Sequence, residues 1–309
     1  MMRGEIPIEW GRAEREGCAV DQMTELQLPS GTARFRFGGY SDRGAVRRLN
    51  EDSFLASLPL FAVADGMGGH AFGDRASQAA IGALAQAFDG TTHATAQQVL
   101  ETIHGANEAV LAVTGGSDEV SGTTLCGVAF VEIGATDSHH WMAFNVGDSR
   151  IYSWDGRHLV QLSVDHSAVQ ELVDLGEITR LQAATHPDRN IVTRALGADT
   201  TVEPDIWLLP ARGHQTFLLC SDGLNKELSD DEIARIIVFH GSEQMRESDG
   251  LPISLSERLV CAAVAAGGSD NVTVVVVESD LVGSSAKSSE ETVDRDAMPA
   301  LLEVTKPRG

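Results

Sequence analysis

The stretch LFAVADGMGGH, residues 60–70, passes from an apolar, β-prone run into an acidic turn that is rich in glycine. Its first five residues predict a buried strand that ends at Asp65. Three glycines within four positions allow the backbone to turn tightly there. The segment that follows, Asp74–Phe88, has an Ala-rich apolar face that predicts a helix packed on a sheet. Taken alone, Asp65 fits an ordinary turn residue and a metal ligand equally well.

The same pattern, an acidic residue beside a β-prone run, occurs three more times, at Asn50–Asp52, Ser221–Gly223 and Ser269–Asn271. Each of these motifs alone is also typical of a turn. Their joint occurrence favours one shared cation site, because several carboxylates brought together repel one another unless a metal neutralises them. Hard divalent cations take carboxylate and backbone carbonyl oxygens, so Asp65 is a candidate side-chain ligand and Gly66 a candidate carbonyl ligand.

Other polar residues are candidates for the same site. Asp148, within Gly-Asp-Ser-Arg, fits either a β-turn or a further, weaker metal ligand. Arg47 lies close to the acidic cluster in sequence and could bind phosphate through two parallel hydrogen bonds. His70 follows Asp65 across the glycine turn, which favours a role in proton transfer. His166 and His186 are interpreted as structural residues.

Composition restricts the class of partner. The chain has 309 residues, is 42% hydrophobic and carries a formal net charge of -22. Nucleic acids and anionic membranes attract concentrated positive charge, so neither is expected as a partner.

The cysteines are widely spaced and are expected to be reduced thiols: Cys18, Cys126, Cys220 and Cys261. We find no apolar run long enough to span a membrane and no signal-peptide layout, and we predict a cytoplasmic protein.

Residues 1–33 are predicted to form a polar arm and residues 281–309 a flexible tail, with one compact unit between them.

Strands are predicted at Phe35–Ser41, Ser53–Ala64, Thr123–Ile133, His140–Val146, Ile151–Trp154, Trp207–Leu209, Thr216–Cys220 and Val272–Glu278. Helices are predicted at Asp74–Phe88, Thr95–Val113, Ser167–Leu175, Asp230–His240 and Ser254–Ala266. Residues 141–145 and 150–154 are expected to form a hairpin. Strands and helices in blocks favour an antiparallel α+β fold.

Taken in order, the motifs resemble the metal-dependent PPM (PP2C-type) serine/threonine protein phosphatases in their bacterial form. The matching residues are 41–44, 46–47, 50–52, 64–70, 121–124, 146–150, 165–167, 186–190, 193–197, 220–224 and 269–271. The resemblance covers about Phe35 to Glu278. It implies an α+β fold, a four-layer α-β-β-α sandwich of two antiparallel sheets flanked by helices. The phosphatase domain would span residues 34–280, with a flap at about 167–196.

The resemblance also implies a reaction: in-line attack of a metal-bridging hydroxide on phosphoserine or phosphothreonine. The cofactors would be two core Mn²⁺ or Mg²⁺ ions, with a third in bacterial members. The resemblance implies that Asp65 is the ligand that bridges the two core metals and that Gly66 binds through its carbonyl. Asp222 and Asp270 would bind one metal, and Glu51 and Asp52 would support the other through water. Asp148 would bind the third metal, together with Asp222. Arg47 would bind the phosphate, and His70 would be the acid for the leaving group.

Substrates would then be phosphoproteins, targets of a bacterial Ser/Thr kinase, and the protein is expected to be a monomer. Two alternatives are weighed. A catalytically silent PP2C-like binding or regulatory module would commonly have lost ligands, and Asp65, Asp222 and Asp270 are all present. A metal-dependent phosphodiesterase or nuclease would need a basic groove, which the strong acidity disfavours.

Overall fold

The computed structural model describes residues 10–11, 20–29, 31–68, 72–114, 121–133, 138–244 and 253–283. The strands are β1 (Trp10–Gly11), β2 (Val20–Leu28), β3 (Gly31–Asp42), β4 (Asp52–Ser57), β5 (Leu60–Met67), β6 (Ala94–Thr95), β7 (Gly122–Thr123), β8 (Leu125–Ile133), β9 (Ser138–Val146), β10 (Arg150–Trp154), β11 (Leu159–Gln161), β12 (Asp205–Pro210), β13 (Gly213–Cys220) and β14 (Val272–Gly283). The helices are α1 (Gly73–Ala87), α2 (Ala96–Thr114), α3 (Ala168–Asp174), α4 (Arg180–Ala183), α5 (Asp222–Glu227), α6 (Asp230–Gln244) and α7 (Leu255–Ala266).

These strands form two sheets. The first has the order β1-β4-β5-β8-β9-β12, with β6 and β7 attached, and the second has the order β11-β10-β13-β14-β3-β2. Every pairing is antiparallel except that of the two-residue strand β6 with β8. The predicted antiparallel α+β class is therefore confirmed.

Three hydrophobic cores separate four layers. The aromatic side chains of Phe35, Phe61 and Trp141 meet between the two sheets. A second core lies between the first sheet and α1 with α2, where Ala76, Ala80 and their neighbours form the predicted small-residue face. A third core lies between the second sheet and α5–α7. Each buried Leu, Val or Phe side chain contributes roughly 1.5–3 kcal/mol to this packing. The predicted four-layer α-β-β-α sandwich is confirmed.

The sheet topology corrects two predicted elements. The single strand predicted at Ser53–Ala64 is two antiparallel strands, β4 and β5, with Pro59 in the turn between them. Proline lacks a backbone N–H and has a fixed φ, so it interrupts a run that hydrophobicity alone reads as continuous. The predicted hairpin of residues 141–145 with 150–154 is also wrong, because β9 belongs to the first sheet and β10 to the second. The segment between them crosses from one sheet to the other.

The predicted N-terminal arm is wrong for part of its length. Residues Val20–Leu28 form β2, which pairs with β3 over nine residues and is an edge strand of the second sheet. Its residues alternate between more and less exposed positions, as expected for an edge strand with one face on the core. Leu26 and Leu28 contribute to the core between the sheets, although the strand is otherwise polar. The backbone pairing, and not an apolar sequence, defines this strand.

In the described part of the chain, no helix has the length and apolar character needed to cross a membrane. Cys126 and Cys220 are buried free thiols, and Cys261 is an exposed free thiol. Cys18 lies outside the described residues, as do residues 284–309 of the predicted tail.

Candidate metal centre

Strands β4 and β5 place two acidic residues side by side. Asp52 and Asp65 are directly opposed partners in the antiparallel ladder. Asp52 is buried, and its Oδ2 accepts hydrogen bonds from the hydroxyls of Ser221 (2.8 Å) and Thr273 (2.7 Å). Its other oxygen, Oδ1, is buried and has no hydrogen-bond partner in the protein. One oxygen of Asp52 is thus fixed by the second sheet, and the other is left available to a ligand.

Glycine is required at position 66, near the end of β5, by close backbone contacts. The Gly66 N–H donates to the carbonyl of Glu51 at 3.1 Å. A Cβ atom at position 66 would overlap the carbonyl oxygen of Gly73, at the start of α1. The backbone of Asp65 is held by Thr124, which accepts from its N–H at 3.0 Å and donates to its carbonyl at 2.9 Å. Asp65 and Gly66 are therefore held rigidly between two strands and a helix.

Asp222 and Asp270 reach the same end of the sandwich from the second sheet. Asp222 is the first residue of α5, directly after β13, and Asp270 lies just before β14. The side chain of Asn271 ties this region to the first sheet, because it accepts from the Glu51 N–H at 2.9 Å and donates to the Arg43 and Leu49 carbonyls at 2.9 Å. The two acidic motifs that contain Glu51 and Asp270 are thereby joined by one amide side chain.

Asp148 lies on the crossover from β9 to β10. Gly147 has a φ of +110°, a region that favours glycine, and its N–H donates to Nδ1 of His166 at 2.9 Å. The Nε2 atom of His166 lies 3.2 Å from a carboxylate oxygen of Asp205 on β12. The buried His166 thus holds the crossover in place, which agrees with the structural role predicted for it.

Five carboxyl groups share this end of the fold, and burial together with mutual repulsion raises the pKa of four of them. Burial is the main cause that raises the pKa of Asp52 to about 7; the hydrogen bonds from Thr273 and Ser221 oppose this rise, and the charges of Asp222 and Asp270 add to it. Burial, followed by the charges of Asp52, Asp222 and Asp148, raises the pKa of Asp65 well above its ordinary value. The pKa of Asp148 rises to about 7 through burial and the charge of Asp222.

Two cations lie among these carboxylates. Lys226 Nζ is 2.6 Å from Asp222 Oδ2 and 2.6 Å from Asp270 Oδ2. Arg47 forms a two-pronged ion pair with Asp270, at 2.7 and 2.8 Å. Burial acts to raise the pKa of Asp270, but the hydrogen bond and charge of Lys226, together with the charge of Arg47, lower it overall. Burial also raises the pKa of Asp222, and Lys226 opposes that rise.

The donor set fits divalent cations. Among the described residues, no three acidic, His or Cys side chains form a ready-made metal-coordinating group. However, Asp52 Oδ1 and Asp222 Oδ1 are buried oxygens without hydrogen-bond partners. Buried carboxylates with raised pKa values are held in their charged form when a metal binds them. Oxygen-only ligands of this kind suit Mg²⁺ or Mn²⁺.

The predicted site residues have different outcomes in the structure. Asp52, Asp65, Gly66, Asp148, Asp222 and Asp270 lie at one end of the sandwich, as the sequence patterns suggested. Glu51 is half-buried beside them, and burial is the main reason that its pKa is raised. Arg47 contacts Asp270, so its predicted role with phosphate stays a prediction. His70 lies outside the described residues.

Sequence reasoning missed several residues of this site. Lys226 was not predicted, because the sequence patterns predict no helix at residues 222–227. In α5 it lies four residues after Asp222, a spacing that favours an ion pair. The hydroxyl groups of Ser221 and Thr273 donate to the Asp52 carboxylate, and that of Thr124 accepts from the Asp65 backbone N–H. These contacts join distant segments, so no local pattern indicates them.

Comparison with known proteins finds relatives among the protein phosphatases. A family model described as protein phosphatase 2C matches residues 45–262. The serine/threonine protein phosphatase PstP of Mycobacterium tuberculosis is 37% identical over 250 residues, which are 80% of this chain and 45% of that protein. The chain therefore spans less than half the length of that relative.

One further relative and one solved catalytic domain match over nearly their whole length. The serine/threonine phosphatase Stp of Listeria monocytogenes is 34% identical over 253 residues, which are 78% of this chain and 94% of that protein. A crystal structure of the catalytic domain of PstP in complex with two manganese ions has a TM-score of 0.66 and 35% identity, and the match covers 81% of this chain and 100% of that chain.

Proposed function

This chain belongs to the protein phosphatase 2C family, and from that premise we propose that it is a metal-dependent protein phosphatase that hydrolyses phosphoserine and phosphothreonine. One observation carries the proposal. Five carboxyl groups from five separate segments meet at one end of the sandwich, and two of their oxygens are buried without a hydrogen-bond partner. Such an arrangement is costly unless divalent cations neutralise it.

We propose the following residues as the metal ligands. Asp65 would be shared by two ions, and the Gly66 carbonyl would bind one of them. Asp222 and Asp270 would hold one ion, Glu51 and Asp52 would support the other through water, and Asp148 would bind a third together with Asp222. When bound, Mn²⁺ or Mg²⁺ ions neutralise charge on a transferring phosphoryl group and lower the pKa of water.

The chain's own residues would orient this chemistry. Ser221 and Thr273 fix one oxygen of Asp52, so its free oxygen keeps one direction. Arg47 is charged and 48% exposed, and it would bind the substrate phosphate after releasing Asp270. His70 is proposed to protonate the leaving group. Each of these assignments is open to test by substitution.

The segment beside the site and the buried thiols support proposals about substrate choice and cellular compartment. We propose that residues 167–196, which include α3 and α4, form a flap that influences substrate choice, and exposed Leu175 and Leu181 give it an apolar surface. We also propose a monomeric phosphatase domain built on residues 34–280, whose second sheet extends beyond these bounds through β2 and the ends of β3 and β14. It would act in the cytoplasm on targets of a bacterial Ser/Thr kinase. The buried free thiols of Cys126 and Cys220 are compatible with a reducing compartment.

One observation favours a catalytically silent binding module as the second candidate. Lys226 and Arg47 already neutralise Asp270, an arrangement that would also suit a site that never binds metal. The two candidates differ in whether the protein turns over a phosphoester.

A direct assay separates the two. We expect the purified chain to hydrolyse p-nitrophenyl phosphate and a phosphothreonine peptide with Mn²⁺, and to lose that activity in EDTA. The matched control is Asp222→Asn, which keeps the shape of the side chain but removes its charge. The phosphatase proposal fails if the unaltered protein is inert on both substrates with Mn²⁺ or Mg²⁺.

A further inference from the structure

Lys226 occupies an unusual place for a lysine in an acidic site. It lies on α5, one helical turn after Asp222, and its side chain is 27% exposed. Its Nζ atom lies 2.6 Å from Asp222 Oδ2 and 2.6 Å from Asp270 Oδ2. A single ammonium group therefore joins the two carboxylates that are proposed to hold one divalent cation.

Asp270 has no remaining capacity for a further partner. An ionised carboxylate offers about four lone-pair positions. Oδ1 accepts from Arg47 Nε (2.7 Å) and the Asn271 N–H (2.9 Å), and Oδ2 accepts from Arg47 Nη2 (2.8 Å) and Lys226 Nζ (2.6 Å). A divalent cation at about 2.0–2.6 Å from one of these oxygens would need one of the four donors to leave.

Of these donors, Lys226 is the one that contacts Oδ2 of both carboxylates, whereas Oδ1 of Asp222 has no hydrogen-bond partner. The Asn271 N–H is part of the backbone at the start of β14, and Arg47 contacts Asp270 through two bonds but does not bond Asp222. Lysine is a compact charge on a flexible four-carbon stem, so it can move away without moving the backbone. Its leaving would return one lone pair to each carboxylate.

We propose that Lys226 is a built-in competitor for a divalent cation at Asp222 and Asp270. Its ammonium group neutralises the two carboxylates in the metal-free protein, and a metal can bind Oδ2 of both carboxylates only when the ammonium group moves away. This inference rests on the proposed metal centre. Two consequences follow: the lysine stabilises the metal-free fold, and it weakens metal binding at this position.

The first test is Mn²⁺ binding measured by isothermal titration calorimetry on the full chain after EDTA treatment. Lys226→Met removes the charge and keeps a similar length. We expect one Mn²⁺ site of this variant to be about tenfold tighter than in the unaltered protein. Arg235→Met is the matched control, because Arg235 is an exposed cation on α6 that pairs only weakly with Glu232, and its affinity should stay within about twofold.

The second test is thermal unfolding, which does not depend on activity. In EDTA, Lys226→Met should unfold about 3 °C below the unaltered protein, because Asp222 and Asp270 lose a neutralising charge. Saturating Mn²⁺ should raise its Tm by more than it raises that of the unaltered protein. If Lys226→Met folds only with Mn²⁺, that result supports the proposal, and if it folds under neither condition Lys226→Gln takes its place.

The outcomes separate the two proposals. If the unaltered protein and both Lys226 variants bind no Mn²⁺, the proposed metal centre and this inference fail together. If the unaltered protein binds Mn²⁺ and a folded Lys226 variant has the same affinity and the same Tm in EDTA, the inference alone is overturned. Tighter binding in Lys226→Met that is matched by Arg235→Met would also overturn it, because the effect would then come from overall charge.

Discussion

Asp52 and Asp65 are directly opposed across the antiparallel strands β4 and β5, so their carboxyl groups lie on the same face of the sheet. Burial raises the pKa of both groups, and each lies close enough to the other carboxylates for their charges to add to the rise. The ladder register therefore brings together two carboxyl groups whose ionisation destabilises the metal-free protein, and a divalent cation would stabilise their ionised form.

This pairing predicts opposite effects of Asp65→Asn on stability and activity. Like charges directly opposite in a sheet are destabilising, so the variant should gain about 1 kcal/mol in free energy of unfolding in EDTA. It should also lose most Mn²⁺-dependent hydrolysis and most of the Tm increase that Mn²⁺ produces. Urea unfolding with and without Mn²⁺ measures both. A variant that is less stable in EDTA and still stabilised by Mn²⁺ would contradict the role of Asp65.

The raised pKa values of Asp52 and Asp148, both about 7, predict the pH dependence of the metal-free protein. Between the ordinary value near 3.8 and about 7, the folded state binds more protons than the unfolded state at these two groups. Their contribution to stability is therefore fully present at low pH and is lost as pH rises through about 7.

Urea unfolding in EDTA at pH 5.5, 6.5 and 7.5 should accordingly show a falling free energy of unfolding. Saturating Mn²⁺ should reduce or reverse this slope, because metal binding requires the ionised carboxylates. The control is the double variant Asp52→Asn with Asp148→Asn, whose slope over this range should be smaller. A free energy of unfolding that rises with pH in EDTA would argue against protonated carboxyl groups in the folded state.

Gly66→Ala should destabilise the fold and weaken metal binding together. The added Cβ would overlap the Gly73 carbonyl oxygen, so the end of β5 or the start of α1 must move, at a cost of about 1–3 kcal/mol. The matched control is Gly105→Ala within α2, where a Cβ meets no atom within 4 Å. Alanine there should be neutral or stabilising by up to about 1 kcal/mol. Equal urea midpoints for the two variants would show that the Gly66 contact tolerates a side chain.

Arg47→Ala should act mainly on substrate binding. The proposed role predicts a higher KM for a phosphothreonine peptide with a smaller change in kcat, because a phosphate contact made before and during the reaction contributes to uniform binding. Removing the ion pair with Asp270 should also change the Mn²⁺ concentration needed for activity, so kinetics should be measured at saturating Mn²⁺. Unchanged KM and kcat under that condition would remove Arg47 from the substrate site.

Much of the site could be predicted from local sequence. The carboxylates beside apolar runs and the glycines next to them are local signals, because strand period, turn chemistry and the steric freedom of glycine act over a few residues. That is why Asp65, Gly66 and Asp222 were singled out as ligands. The order of the motifs then indicated the family and, through it, the four-layer sandwich.

Tertiary structure decided the features that depend on distant partners. Whether residues 141–154 form a hairpin or cross between sheets depends on the pairing of β10 with β13, some sixty residues away in sequence. The strand at Val20–Leu28 exists because β3 supplies its hydrogen bonds.

The contact of Lys226 with Asp270 spans 44 residues, and no short-range pattern contains it. The sequence by itself thus determined which carboxylates are proposed as metal ligands, because their chemistry is local. Only the folded chain decided which of them meet and which cations already neutralise them, because charges interact through space and not along the chain.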